Sequence, residues 1–287
     1  STLIQTNGNF PISEVIKMAP ALPPLGLHGT ADFLVEVDLP TVTDNGAETL
    51  LRVSSNLEGI GIDLPQPLGK SATDNRALHF EMPIRESATA MQIKYEQAFD
   101  LSLLQTETGN FDLNGTLYAL PVSQWTGFIS SLEIELEKTA PPITSLDLVI
   151  KHSTLGPVEA NDLGLVANYP DTGWFGYLSS ETISGSFRIP QSGIENPLMV
   201  ELDHLRIEYE PEHTGVIADA LDAPDALDAL DYVDPRSIPA LKLTSKAFTF
   251  NEAELGSAVL SAYPIKEGLI FDKLEVDGDL VSLQGEG

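Results

Sequence analysis

Cysteine is absent from the 287 residues. That removes disulfides, thiolate catalysis, iron–sulfur clusters and cysteine-ligated zinc. Basic residues are scarce: 15 Lys and Arg stand against 43 Asp and Glu, a formal net charge of −28. A nucleic-acid backbone or an anionic membrane surface needs a basic footprint, so neither is expected as a direct partner. The acidity leaves apolar ligands open and by itself reads as solubility or adaptation to salt. No run approaches the roughly 18 apolar residues of a membrane span, and no basic-then-apolar leader opens the chain. The pattern is already under way at Ser1. A segment cut from a longer protein, with its targeting sequence elsewhere, is expected.

Reactive motifs are also missing. Gly69-Lys70-Ser71 resembles the end of a phosphate-binding loop, but the required earlier glycine is Leu64. Gly59-Ile60-Gly61 lacks the third glycine of a dinucleotide turn. The histidines His28, His79, His152, His204 and His213 show no paired ligand spacing, and no serine sits in a G-x-S-x-G elbow. With 43 carboxylates, nearby acidic pairs arise by chance and do not define a glycosidase dyad. No metal or other cofactor is expected, and an enzyme is the last reading.

What the chain does have is alternation. At 42% hydrophobic residues it can build one large all-β domain or two to three smaller ones. Ala31–Leu39 alternates cleanly, with Ala31, Phe33, Val35, Val37 and Leu39 on one face. Its expected hairpin partner is Leu51–Lys70, joined to it by a turn at Thr41–Glu48. There Leu51, Val53, Ser55 and Leu57 share one phase, and Ile60, Ile62 and Leu64 the other. One inserted residue flips every later side chain of a strand, so a bulge at Glu58-Gly59 would keep both sets on one face. The segment is expected as one long bent strand, stopped by Pro65 and Pro67.

Further runs follow at Leu78–Ile84, Met91–Tyr95, Phe99–Leu103, Phe111–Leu117, Leu132–Leu136, Leu146–Ile150, Leu163–Tyr169, Ile183–Ile189 and Leu205–Tyr209. After them come Leu241 with Leu243, Phe248 with Phe250, Ala258–Ala262, and Leu274 with Val276. Turns fall at Glu86–Thr89 and Gly109-Asn110, and short helices at Pro11–Met18 and Val122–Ser130. Such a succession implies a mostly β, largely antiparallel sheet with one covered and one solvated face. The expected organisation is a first β segment with a short N-terminal helix over 1–120 and a second over 121–213. An acidic linker occupies 214–235, and a C-terminal β segment 236–287. From spacing, the apolar face is either an ordinary sandwich core or an open groove for a greasy ligand.

Three blocks then carry a resemblance. VSSNLEGIGIDLPQPLGK at Val53–Lys70, DTGWFGYLSSETISGSFRIP at Asp171–Pro190 and DPRSIPALKLTSKAFTFNEAELGSAVLSAYP at Asp234–Pro264 occur in the same order as in the YhdP branch of the AsmA-like proteins, relatives of TamB. The chain resembles the C-terminal part of such a protein. The resemblance implies a curved β-groove of the β-taco type in a Gram-negative envelope, anchored in the inner membrane by an N-terminal helix. It implies periplasmic location and movement of phospholipid between the membranes, with acyl chains as partners and envelope proteins at either end. It supplies no catalytic residues. The expected groove lining is Phe33, Val35, Val37, Val53, Leu57, Ile60, Ile62 and Leu64. Two other readings are a TamB-like scaffold for outer-membrane assembly and a β-sandwich carbohydrate module using Trp125, Trp174 and Tyr177.

Overall fold

The computed structural model describes residues 1–17, 26–40, 48–84, 90–131, 142–155, 158–170, 173–191, 196–208, 240–266 and 268–286. Within them lie eighteen strands and two short helices, so the chain is mostly β as its alternation implies. The turns at 41–47 and 86–89, the run at Leu132–Leu136, Met18, Tyr209 and the acidic stretch at 214–235 fall outside the described residues. Two compact units emerge. The first comprises Ser1–Leu120, Thr139–Lys151 and Leu165–Asn168; the second comprises Pro121–Lys138, His152–Gly164 and Tyr169–Gly287.

In the first unit the strands are β1 (Thr2–Pro11), β2 (Leu27–Leu39), β3 (Thr49–Ser55), β4 (Ile60–Ile62), β5 (Leu78–Ile84), β6 (Ala90–Tyr95), β7 (Phe99–Gln105) and β8 (Phe111–Leu117). β9 (Leu120–Pro121) sits at the boundary, and the first part of β10 (Ile143–Leu155) together with Leu165–Asn168 completes the unit. β1, β2, β3, β5, β6, β7 and β8 pair antiparallel in that order. β8 then pairs β10 in parallel. Helix α1 (Ile12–Lys17) begins one residue later than the sequence implies, because Pro11 ends β1 opposite Thr30. A residue with no N–H to donate fits a strand end as well as a first helical turn.

Leu51–Lys70 is not one bent strand. β3 stops at Ser55, Leu57 and Gly59 adopt positive φ (52° and 92°), and the chain re-enters the sheet as β4. Both pieces pair with β2, Leu34 facing Ser54 while Gly29 faces Ile60, so the register moves by one residue across the break. The phase change read from the sequence therefore has the expected outcome: Val53 and Ile60 both lie opposite odd-numbered residues of β2 and share its face. The means is a sharper break than a bulge within a continuous strand. Gly29 and Gly59 make it possible. Each has positive φ, and a Cβ on either would collide with backbone across the pair.

The second unit holds α2 (Val122–Ser131), the end of β10, the start of β11 (Val158–Asn168), β12 (Gly173–Ser179), β13 (Ile183–Pro190) and β14 (Leu198–Ile207). It continues with β15 (Leu241–Phe250), β16 (Ala253–Ile265), β17 (Gly268–Asp277) and β18 (Ser282–Gly285). β12, β13 and β14 pair antiparallel, β14 pairs β15 in parallel, and β15 to β18 pair antiparallel. Leu241 with Leu243 and Phe248 with Phe250, read from sequence as two runs, belong to one strand. A register irregularity between Ser245 and Phe248 absorbs the phase change, and β13–β14 and β16–β17 carry similar shifts. Such bulges bend the strands that hold them.

Among the described elements, the substantial contacts join neighbouring strands and set α1 against β1 and β2.

Candidate functional site

Cross-strand partners in a sheet point to the same face, so register converts separate alternations into continuous rows. In the first unit one row reads Thr6, Val35, Val53, Phe80, Ile93, Leu101, Gly115 and Leu148, one residue from each of eight strands. The row one step behind it reads Gln5, Glu36, Arg52, Glu81, Gln92, Ser102, Asn114 and Asp147. Between them the first carries two small or hydroxylated residues and otherwise only hydrocarbon; the second carries no hydrocarbon side chain. Along these two rows the sheet is greasy on one side and wet on the other.

The second unit repeats the arrangement. Gly176, Phe187, Val200, Leu243, Leu260, Leu274 and Gly285 form its apolar row. Tyr177, Ser186, Glu201, Thr244, Val259, Glu275 and Gln284 form the row beside it, polar except at Val259.

The apolar faces are not sealed. Val35, Val53, Phe80, Ile93 and Leu101 are half-buried, as are Phe187, Val200, Leu243 and Leu260. Ile4 remains 54% exposed, Phe10 46% and Ile84 50%, all on the apolar face of the first unit. Apolar side chains left partly open beside a charged reverse side are of the kind that proteins generally use to meet apolar ligands, partner proteins or membranes.

One margin is different. Ala31, Phe33, Leu57, Ile60, Tyr95 and Ala98 make a buried cluster, with Ile12, Val53, Ile62, Leu68, Leu78 and Phe99 packed against it. The chain between β3 and β5 folds back here over the strand ends. Lys70, 7% exposed, donates through Nζ to the carbonyls of Leu57, Ile60 and Ser71. Burial pushes its ammonium below the ordinary lysine value, while three carbonyls take up its three N–H donors. Arg76 donates to the Pro67 carbonyl at 2.6 Å and lies 5.7 Å over the Tyr95 ring, whose hydroxyl donates to the Leu68 carbonyl at 3.3 Å. Burial raises the Tyr95 phenol above its usual value.

The expected lining residues thus fall into two groups. Val35, Val37 and Val53 stand half-buried on the face. Phe33, Leu57 and Ile60, each no more than 5% exposed, sit inside the cluster; Ile62 and, from the face, Val53 pack on it, and Leu64 follows β4 in the loop. Phe80, Ile93, Leu101, Leu113 and Leu148 share the face but were not singled out from sequence. Their alternation was visible; their register with Val35 was not.

On the polar side, Arg52 donates to Glu81 at 2.8 Å and is held above its ordinary value by that bond. Asp203 accepts from Lys246 at 2.7 Å and from Tyr177 at 3.0 Å, which hold its carboxyl below the usual range. Trp125 packs on Phe128, with ring centroids 6.1 Å apart, and Trp174 on Tyr169 at 5.5 Å. No group of His, Asp or Glu suited to a metal occurs among the described residues. No described helix is long and apolar enough to cross a membrane.

A family model described as YhdP protein matches residues 1–287, the full length of the chain. The chain belongs to the YhdP family. No curated protein and no solved structure matches it. The two-faced sheets are therefore a feature of a YhdP-family chain, and the resemblance read from three sequence blocks extends to all of it.

Proposed function

We propose that this YhdP-family chain is a segment of an intermembrane phospholipid conduit. Acyl chains lie on the apolar faces, and the polar faces meet the aqueous periplasm. The observation that carries this reading is the apolar row spanning eight paired strands, half-buried from Val35 to Leu101 and backed by a row of polar side chains. Hydrocarbon laid along it removes apolar area from water at about 25 cal/mol per Å² without any reactive group. We accordingly read the chain as non-catalytic and free of cofactors. Its place is the periplasm, within a longer protein anchored in the inner membrane. The test combines lipid extraction and native mass spectrometry of protein purified from bacterial membranes with a photo-crosslinker at Val35. Co-purified phospholipid and a lipid adduct at Val35 are expected; protein free of lipid and an unlabelled Val35 would sink the reading.

One observation favours a second reading, a scaffold that docks envelope proteins. Phe175, Tyr177 and Met199 are 50%, 44% and 42% exposed on the polar side of the second unit. The scaffold predicts protein adducts at Phe175 in place of lipid adducts at Val35.

A further inference from the structure

We infer that residues 56–77 are a fixed roof over one margin of the first unit's apolar face, and that Lys70 is its positioning residue. Hydrocarbon chains then bind beside the roof, across Val35, Phe80 and Ile93, and are kept off the margin beneath it. The inference rests on the conduit reading and divides its surface in two.

Three observations carry it. First, the side chains gathered at the loop are the same-face continuation of the open row, with Tyr95 buried and Leu78 and Phe99 half-buried and packed against the cluster. Leu78 pairs Tyr95, Tyr95 pairs Phe99 and Phe99 pairs Leu117, one register step from Phe80, Ile93, Leu101 and Gly115. The surface is one sheet face, yet Tyr95 is 4% exposed and packed, whereas Phe80 stands outside the buried cluster. Second, the loop is tied at many points. Ile62 and Lys70 exchange backbone hydrogen bonds at 2.9 and 3.1 Å, Gly59 donates to Ala72 at 2.8 Å, and Asp63 donates to Gly26 at 3.0 Å. Third, Lys70 gathers the carbonyls of Leu57, Ile60 and Ser71 around one ammonium. Polar backbone buried over an apolar face must find partners inside the protein, and one lysine with three donors supplies three of them. Losing it removes a charged donor from all three, leaving the Leu57 carbonyl with the Ile60 N–H alone, which favours opening of the loop over retention of its packing.

Two phenylalanines give a matched test in the full-length protein expressed in bacteria. Phe80→p-benzoylphenylalanine reports the open field, and Phe99→p-benzoylphenylalanine the roofed one. After irradiation, phospholipid adducts at position 80 at least tenfold above those at position 99 are expected. Adding Lys70→Ala is expected to raise the position 99 adducts toward the position 80 level and to leave position 80 unchanged. Arg76→Ala, which frees only the Pro67 carbonyl and the Tyr95 ring, is expected to raise them less. Equal labelling at both positions with Lys70 intact overturns the roof while leaving the conduit standing. A silent position 99 in a folded Lys70→Ala variant overturns the role given to Lys70. Silence at both positions with Lys70 intact overturns the conduit reading itself.

Discussion

Lys70 and Asp203 show how differently one protein can set its charges. Lys70 is buried against backbone carbonyls and its ammonium is lowered by desolvation. Asp203 is exposed, and its carboxyl is lowered by Lys246 and then by the Tyr177 hydroxyl. For a carboxylate depressed in the folded state, the stabilisation is complete above the ordinary value of about 4 and is lost as pH falls through the folded value. The contribution is small, because solvent screens an exposed pair. The pKa itself is the better readout. An NMR titration of Asp203 is expected to give a midpoint below the ordinary carboxylate range, moving up toward it in Lys246→Met. An unchanged midpoint in the variant would remove Lys246 as the cause. Lys70, by contrast, was read from sequence only as the lysine of a phosphate loop that fails its glycine spacing. A proline-rich loop has no period, so nothing in the local pattern announces a caged ammonium.

At the scale of the element, the break between β3 and β4 decides the most. The shift from odd to even apolar positions at Glu58-Gly59 was legible, because a period of two leaves no other way to keep Val53 and Ile60 on one face. The complete interruption of the strand was not. It depends on β2 being long enough to pair with both pieces, and that length is a property of the partner. Gly59 carries the break: φ is 92° and the Thr30 carbonyl occupies the space of a Cβ. Gly59→Ala is expected to cost about 1–3 kcal/mol by chemical denaturation, in line with strained backbone elsewhere. Gly109→Ala is the useful contrast. Its φ is also positive (85°), but nothing lies within 4 Å of an added Cβ, so it bears the conformational penalty without the collision. Equal losses at the two sites would show that the close approach to Thr30 is unimportant.

Across the whole molecule, alternation announced the strands and their two-faced character, and Ala31–Leu39, Phe111–Leu117 and Ile183–Ile189 fall where the sequence puts them. Two parallel pairings among the described strands, β8 with β10 and β14 with β15, were out of reach. Each joins strands separated by a long connection, and no turn sets their register. The same gap explains why the lining set stopped at β2–β4. Membership in a row needs every pairing between β1 and β10, whereas a hairpin can be read from its own two strands. The row also supplies a test of the proposed conduit at this scale. Ile93→Asp puts a carboxylate in the middle of the hydrocarbon track, where desolvation opposes it. Co-purifying phospholipid is expected to drop at least tenfold, with far-ultraviolet circular dichroism unchanged. Gln92→Asp, one residue away on the polar side, is expected to leave the lipid content as it was. Equal effects from the two substitutions would mean that the sidedness of the sheet is irrelevant to lipid.

A row of cross-strand partners has no natural end. Neighbouring strands lie about 4.8 Å apart, so the eight-strand row of the first unit runs for roughly 34 Å, and each further hairpin would lengthen it by about 10 Å. The addition brings its own greasy and wet positions and asks nothing of the strands already there. Length in such a protein can then drift or be selected independently of chemistry, by gain and loss of hairpins, much as a ladder is fitted to a wall by its number of rungs.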